Sequence, residues 1–195
     1  MILLGTRNRH KVREVREILE PLGLRCAVAA DLPAVEETGA TFRQNAALKA
    51  LGAAAFCRGP VLADDSGLVV PALGGEPGVR SSRYAGEEAD DEANLGRLVH
   101  RLKERGLGEP AGWFQCALAL ALPGELLVEV EGRVEGRILD APRGRNGFGY
   151  DPVFFHPPSA CTFAELPSDQ KNRVSHRARA LQALAERLPE FADRL

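Results

Sequence analysis

The sequence predicts an α/β protein. Strand-length apolar runs alternate with stretches of helical period through the first half, the middle third reads as sheet, and a helix closes the chain. At 195 residues the chain fits one large domain over 1–195, with room for two lobes and a sizeable core. With 45% hydrophobic and 27% charged residues the composition is that of an ordinary globular protein. A net charge of −2 without a long run of one sign offers no basic surface, so no nucleic-acid partner is expected. Cys26, Cys57, Cys116 and Cys161 are too scattered for a zinc or redox motif and read as reduced, mostly core thiols. Met1 to Leu4 is too short for a signal or membrane segment, so a cytoplasmic protein with no membrane partner is expected.

Taken in order, Ile2 to Leu4 reads as a first strand ending at Gly5, followed by a helix with Val12, Val15, Ile18, Leu19 and Leu22 on one face. Arg25 to Ala29 is a second short strand, leading into a segment from Asp31 to Ala40. Thr41 and Gln44 have capping-box spacing and open an alanine-rich helix to about Cys57. Val61 to Ala63 reads as a short buried strand, with Gly67 turning the chain after it. Asp90 caps a helix with Leu95, Leu98, Val99 and Leu102 inward, ending at Gly106. Trp113 to Leu122 is a buried strand, Pro123-Gly124 a hairpin turn, and Leu126, Val128 and Val130 alternate with wetter positions, a pattern that continues to Leu139. A strand is expected over Val153 to Phe155, a second capping box at Thr162 and Glu165, and a last helix from Ser175 to about Leu188.

Several stretches carry chemistry. Asp64 and Asp65 are adjacent acids that repel unless one is protonated or a cation such as Mg²⁺ sits between them; taken alone, a solvated surface turn is the simpler explanation. Thr6-Arg7-Asn8-Arg9-His10-Lys11 leads from a strand into a helix start, an arrangement suited to phosphate, with an N-cap among exposed basic residues as the alternative. Glu37 precedes a helix start and is either a dipole-complementing acid or a cation ligand, while Asn45 and Lys49 stand one turn apart. Gly144 to Pro152 holds Phe148, Gly149, Tyr150 and Asp151, aromatic rings on a flexible backbone suited to stacking on a flat base, or to core packing. Lys171, His176 and Arg177 crowd cations toward a helix start, which opposes the dipole unless an electron-rich ligand compensates.

The order of these pieces resembles the inosine triphosphate pyrophosphatase family, the non-canonical purine nucleoside triphosphate pyrophosphatases. The matching stretches are Thr6-x-Asn8-x-x-Lys11, Glu36 to Ala50, Ala63 to Leu68, Pro77-Gly78-Val79, Ser82 to Gly86, Phe148 to Pro152 and Ser175-His176-Arg177, spanning nearly the whole chain. The resemblance implies an elongated two-lobed α/β fold, a long central mixed β-sheet flanked by helices with a cleft between lobes, usually as a homodimer. It implies Mg²⁺-dependent hydrolysis of ITP, dITP and XTP to the monophosphate and pyrophosphate. By position Glu37 and Asp65 would ligate the metal, with Asp65 also the base for the attacking water. Thr6, Asn8, Lys11, Lys49 and Ser66 would hold phosphates, Phe148 would stack on the base, and Asp151, Lys171, His176 and Arg177 would read its edge. Arg7, Arg9 and His10 make the first loop more basic than the family pattern, touching phosphate or facing solvent. A noncatalytic purine nucleotide-binding module is the different-class alternative, and a related pyrophosphatase with another base preference is a third; intact Glu37, Asp65 and Lys11 speak against the former.

Overall fold

The computed structural model describes residues 1–29 and 32–195; the first residue of the expected Asp31 to Ala40 segment therefore lies outside the described residues. Seven strands are hydrogen-bonded in the order β2-β1-β3-β4-β5-β6-β7. They are β1 (Ile2–Leu4), β2 (Cys26–Val28), β3 (Val61–Val69), β4 (Ala111–Leu122), β5 (Glu125–Ile138), β6 (Phe154–His156) and β7 (Cys161–Thr162). The helices are α1 (Arg9–Leu19), α2 (Phe42–Cys57), α3 (Asp91–Glu104), α4 (Ser168–Val174) and α5 (His176–Arg187). β1 pairs parallel with both β2 and β3, while β5 with β6 and β6 with β7 are antiparallel, so the sheet is mixed as expected.

The chain divides into two compact units. The first comprises Met1–Asp65, Cys116–Arg133 and His176–Leu195. Its core joins Ile2 and Leu4 of β1, Val15 and Leu19 of α1, Leu118 and Leu120 of β4, and Leu181 and Leu184 of α5. The second comprises Ser66–Gln115 and Val134–Ser175, with Leu68, Leu98, Leu102, Val134 and Ile138 buried around a ring cluster. Phe154 lies 4.6 Å from Phe114 and 4.8 Å from Phe163, centroid to centroid, at tilted angles.

The structure differs from the sequence pattern at several points. β3 does not stop at Ala63; it runs on through Asp64, Asp65, Ser66 and Gly67 to Val69. Gly67 is therefore no turn residue. A Cβ there would lie 2.2 Å from Ser81 Oγ and 2.7 Å from the Gly78 carbonyl, so glycine is required by close approach. Leu22 is 55% exposed, because Pro21 ends the regular helix and a single 3₁₀ turn follows. The Thr162 box forms its bond, Glu165 Oε2 accepting from Thr162 N at 2.7 Å, but closes a turn rather than a helix. The cation-rich stretch is split by Ser175: Lys171 and Arg173 end α4, where cations complement the dipole, and only His176 and Arg177 begin α5.

Candidate active site

In the first unit, β1 ends before Gly5, where a Cβ would stand 3.0 Å from Val61 Cγ1. Asn8 then caps α1, its Oδ1 accepting from His10 N at 2.9 Å and Lys11 N at 3.2 Å, while Thr6 Oγ1 accepts from Asn8 N. The first turn of α1 holds no acid; Arg9 and His10 are exposed there, and the exposed Arg7 donates to the Leu32 carbonyl. A capped helix start with cations in place of acids is the electrostatic inverse of an ordinary helix entry and attracts anions.

Because successive side chains of a strand point to opposite faces, the paired acids are separated rather than sharing one cation. Asp64 Oδ2 receives Lys11 Nζ at 2.9 Å and Arg177 Nη2 at 3.2 Å, and Arg177 Nη1 also donates to Glu14 of α1. Arg177 is 1% exposed and Asp64 6%. Burial opposes ionisation of Asp64, yet Lys11 and Arg177 beside it outweigh burial and hold the carboxyl well below the usual range. Burial likewise opposes the Arg177 charge, and Glu14 and Asp64 outweigh it and raise its pKa. This is a buried network of alternating sign.

Asp65 belongs to a second set. Lys49 Nζ donates to Asp65 Oδ1 and to Glu37 Oε1, each at 2.9 Å, and Asn45 Nδ2 donates to Asp65 Oδ2 at 3.1 Å. Asn45 and Lys49 face the same way because they are one turn apart on α2, and Asn45 Oδ1 in turn accepts from Gly39 N at 2.8 Å, fixing the segment that carries Glu37. Here burial prevails: it raises the Asp65 pKa, Lys49 lowers it, and Glu37 raises it again. Two hard carboxylate oxygens converging on one cation are a donor set that suits Mg²⁺, which binds through one or two carboxylates and keeps waters or phosphate oxygens in its other positions. No group of three or more His, Cys, Asp or Glu that could hold a metal ion occurs among the described residues.

In the second unit, Ser66 follows Asp65 on β3, and the 144–152 loop is fixed at successive residues. Asp151, 2% exposed, accepts from Phe148 N at 2.9 Å and from Lys171 Nζ through the same Oδ2. Lys171 Nζ also sits 5.0 Å from the Phe148 ring centroid. Gly149 N donates to Asp91 Oδ2 at 2.9 Å, and Tyr150 OH to the Ser81 carbonyl at 2.8 Å. Tyr150 is 5% exposed, so this aromatic is packed inward whereas Phe148 is only half-buried.

The structure therefore gathers the expected residues into three groups: Lys11, Asp64 and Arg177; Glu37, Lys49 and Asp65; Phe148, Asp151 and Lys171. His176 is buried beside Arg177 at the start of α5. Sequence reasoning did not single out Glu14, whose only trace is its three-residue spacing from Lys11 on one face of α1, nor Asn45 as a partner of Asp65, nor Ser81 and Asp91 as anchors of the aromatic loop.

Comparison with known proteins agrees with the motif order. The Ham1 family profile matches residues 2–187. The dITP/XTP pyrophosphatase of Geobacillus kaustophilus is 46% identical over 193 residues, covering 97% of this chain and 95% of that protein. The dITP/XTP pyrophosphatase of Bacillus subtilis is 47% identical over 189 residues, covering 95% and 96%. Among solved structures, a HAM1 protein from Coxiella burnetii superimposes with a TM-score of 0.87 at 40% identity, covering 97% of this chain and 98% of that one. The Staphylococcus aureus Ham1 protein gives 0.84 at 38% identity, with the same coverage. With a profile match over most of its length and near full-length relatives of this identity, the chain belongs to the Ham1 family.

Proposed function

We propose that this protein hydrolyses dITP, XTP and ITP between the α and β phosphates, releasing the nucleoside monophosphate and pyrophosphate and so removing these nucleotides from the pool. The observation that carries this reading is the convergence of Glu37 and Asp65 with Lys49, continuous in sequence with Ser66. The relatives from G. kaustophilus and B. subtilis are dITP/XTP pyrophosphatases, which supports the substrate class. Glu37 and Asp65 would hold Mg²⁺ as cofactor, which would supply positive charge against the phosphate oxygens and favour ionisation of the attacking water.

The chain's own residues do the rest. Breaking a phosphoanhydride demands positioning and charge more than covalent chemistry. Lys49, Lys11, Ser66, Thr6 and the capped start of α1 at Asn8 supply donors to the phosphates, with Arg7, Arg9 and His10 adding positive field around the first loop. Asp65 takes the proton of the attacking water. Asn45 fixes its other oxygen and therefore its orientation. Phe148, at the tip of the Gly149-Tyr150 turn, stacks on the purine. Asp151 accepts from ring N–H, and Lys171, His176 and Arg177 donate toward the carbonyl at position six; Arg177 is oriented for this by Glu14 and Asp64. Adenine presents an amino group at that position, so donors would face a donor and ATP would be rejected. The protein acts as a cytoplasmic homodimer.

Pyrophosphate release from dITP, XTP, ITP, ATP and GTP, measured with and without Mg²⁺, tests the reading. Pyrophosphate from the first three and not from ATP, and only in the presence of metal, is expected. Orthophosphate in its place would sink the bond assignment, and tight nucleotide binding without turnover would favour a binding module.

A further inference from the structure

We infer that Ser81 is a positioning residue: it ties the part of β3 that carries Ser66 to the loop that carries Phe148 and Asp151, and so fixes within the second unit the spacing at which phosphate and base are received. The inference rests on the function proposed above for those residues. Ser81 is 7% exposed and lies in a short 3₁₀ segment, Gly78–Arg83. Its hydroxyl is used in both directions, accepting from Leu68 N at 3.0 Å and donating to the Gly78 carbonyl at 2.6 Å. Its own carbonyl accepts from Tyr150 OH at 2.8 Å. One residue thus reaches β3 through its side chain, two positions after Ser66, and the aromatic loop through its backbone.

The neighbours are shaped for this link. Gly67, the residue between Ser66 and Leu68, has no space for a methyl group, because a Cβ would stand 2.2 Å from Ser81 Oγ. The segment is seated directly on the strand at that point. Tyr150 is nearly fully buried, and burial pushes its phenol up, so it remains a protonated donor toward Ser81 at every pH of interest. The other anchors of the loop, Asp91 on Gly149 N and Asp151 on Phe148 N, do not lead back to β3; the Tyr150–Ser81 bond does. With its hydroxyl and its carbonyl both engaged inside the protein, Ser81 acts through its neighbours. It controls how far apart their binding groups stand, which matters for a whole nucleotide and not for its pieces.

The experiment compares the wild type with Ser81→Ala and Tyr150→Phe, which cut the link on its two sides. For each, kcat/KM for dITP is measured by pyrophosphate release, and the two products, dIMP and pyrophosphate, are titrated separately as inhibitors. Loss of one such hydrogen bond is expected to lower kcat/KM about ten-fold in either variant, with both inhibition constants staying within about two-fold of wild type. The double variant should be no worse than the more affected single one, since both changes break one link. Unchanged kcat/KM in Tyr150→Phe overturns the inference, as does dIMP inhibition that weakens in step with kcat/KM, because the base loop itself would then have collapsed. Should Ser81→Ala fail to fold, Tyr150→Phe decides alone. A wild type that releases no pyrophosphate from dITP overturns the proposed function, and the inference with it, before any variant is compared.

Discussion

Asp64 and Asp65 are one peptide bond apart and chemically unlike, since the strand turns them to different partners: Lys11 and Arg177 for the first, Lys49 and Asn45 for the second. Asp65→Asn keeps the shape and an acceptor for Asn45 but removes the base, so kcat should fall by about 10² or more with little change in melting temperature. Asp64→Asn leaves Lys11 and Arg177 short of a countercharge, and breaking a buried pair costs about 3–5 kcal/mol, readable by denaturant titration. Because the folded pKa of Asp64 is depressed below its ordinary 3.8, its stabilisation is present above that pH and fades as pH falls below it. The deficit of Asp64→Asn relative to wild type should accordingly narrow on acidification; a gap that widens would contradict the ion-pair assignment. None of this division was legible from the residues alone. Adjacent acids in a sequence do not reveal whether they lie on a strand, where they part, or on a turn, where they share a face.

At the scale of elements, the sequence pattern located most strands and helices, because their apolar periods are strong and their caps, Thr41 and Asp90, are explicit. It failed where tertiary contact overrides local chemistry. Asp-Ser-Gly ordinarily signals a turn, yet here Gly67 is extended on β3 because Ser81 and Gly78 press against it. Likewise a Thr-x-x-Glu spacing made a turn at Thr162, with α4 beginning only at Ser168. The glycine explanation yields a direct test. Gly67→Ala must push the 78–83 segment off the strand, and overpacking of this kind costs about 1–3 kcal/mol. For a chain of this size that lowers the melting temperature by roughly 2–12 °C. An alanine variant as stable as the wild type would restore the turn explanation.

At the scale of the whole molecule, function was more legible than any single site, because seven weak motifs in one order constrain the chain more than one strong motif does. What the order did not reveal is how the charges are balanced without ligand. Glu37 and Asp65 meet on Lys49, and Asp64 and Glu14 meet on Arg177. The fold therefore does not need a metal to neutralise its buried acids, in contrast to small domains that unfold without one. Stripping divalent cations with a chelator should abolish pyrophosphate release while leaving the far-ultraviolet circular dichroism unchanged. At a tenfold excess of Mg²⁺ over its Kd the metal contributes only about 1.4 kcal/mol, so its removal should lower the melting temperature by no more than about 3–6 °C. Loss of secondary structure on chelation would show that Lys49 does not balance Glu37 and Asp65 in the free protein, and retained turnover would remove Mg²⁺ from the proposed chemistry.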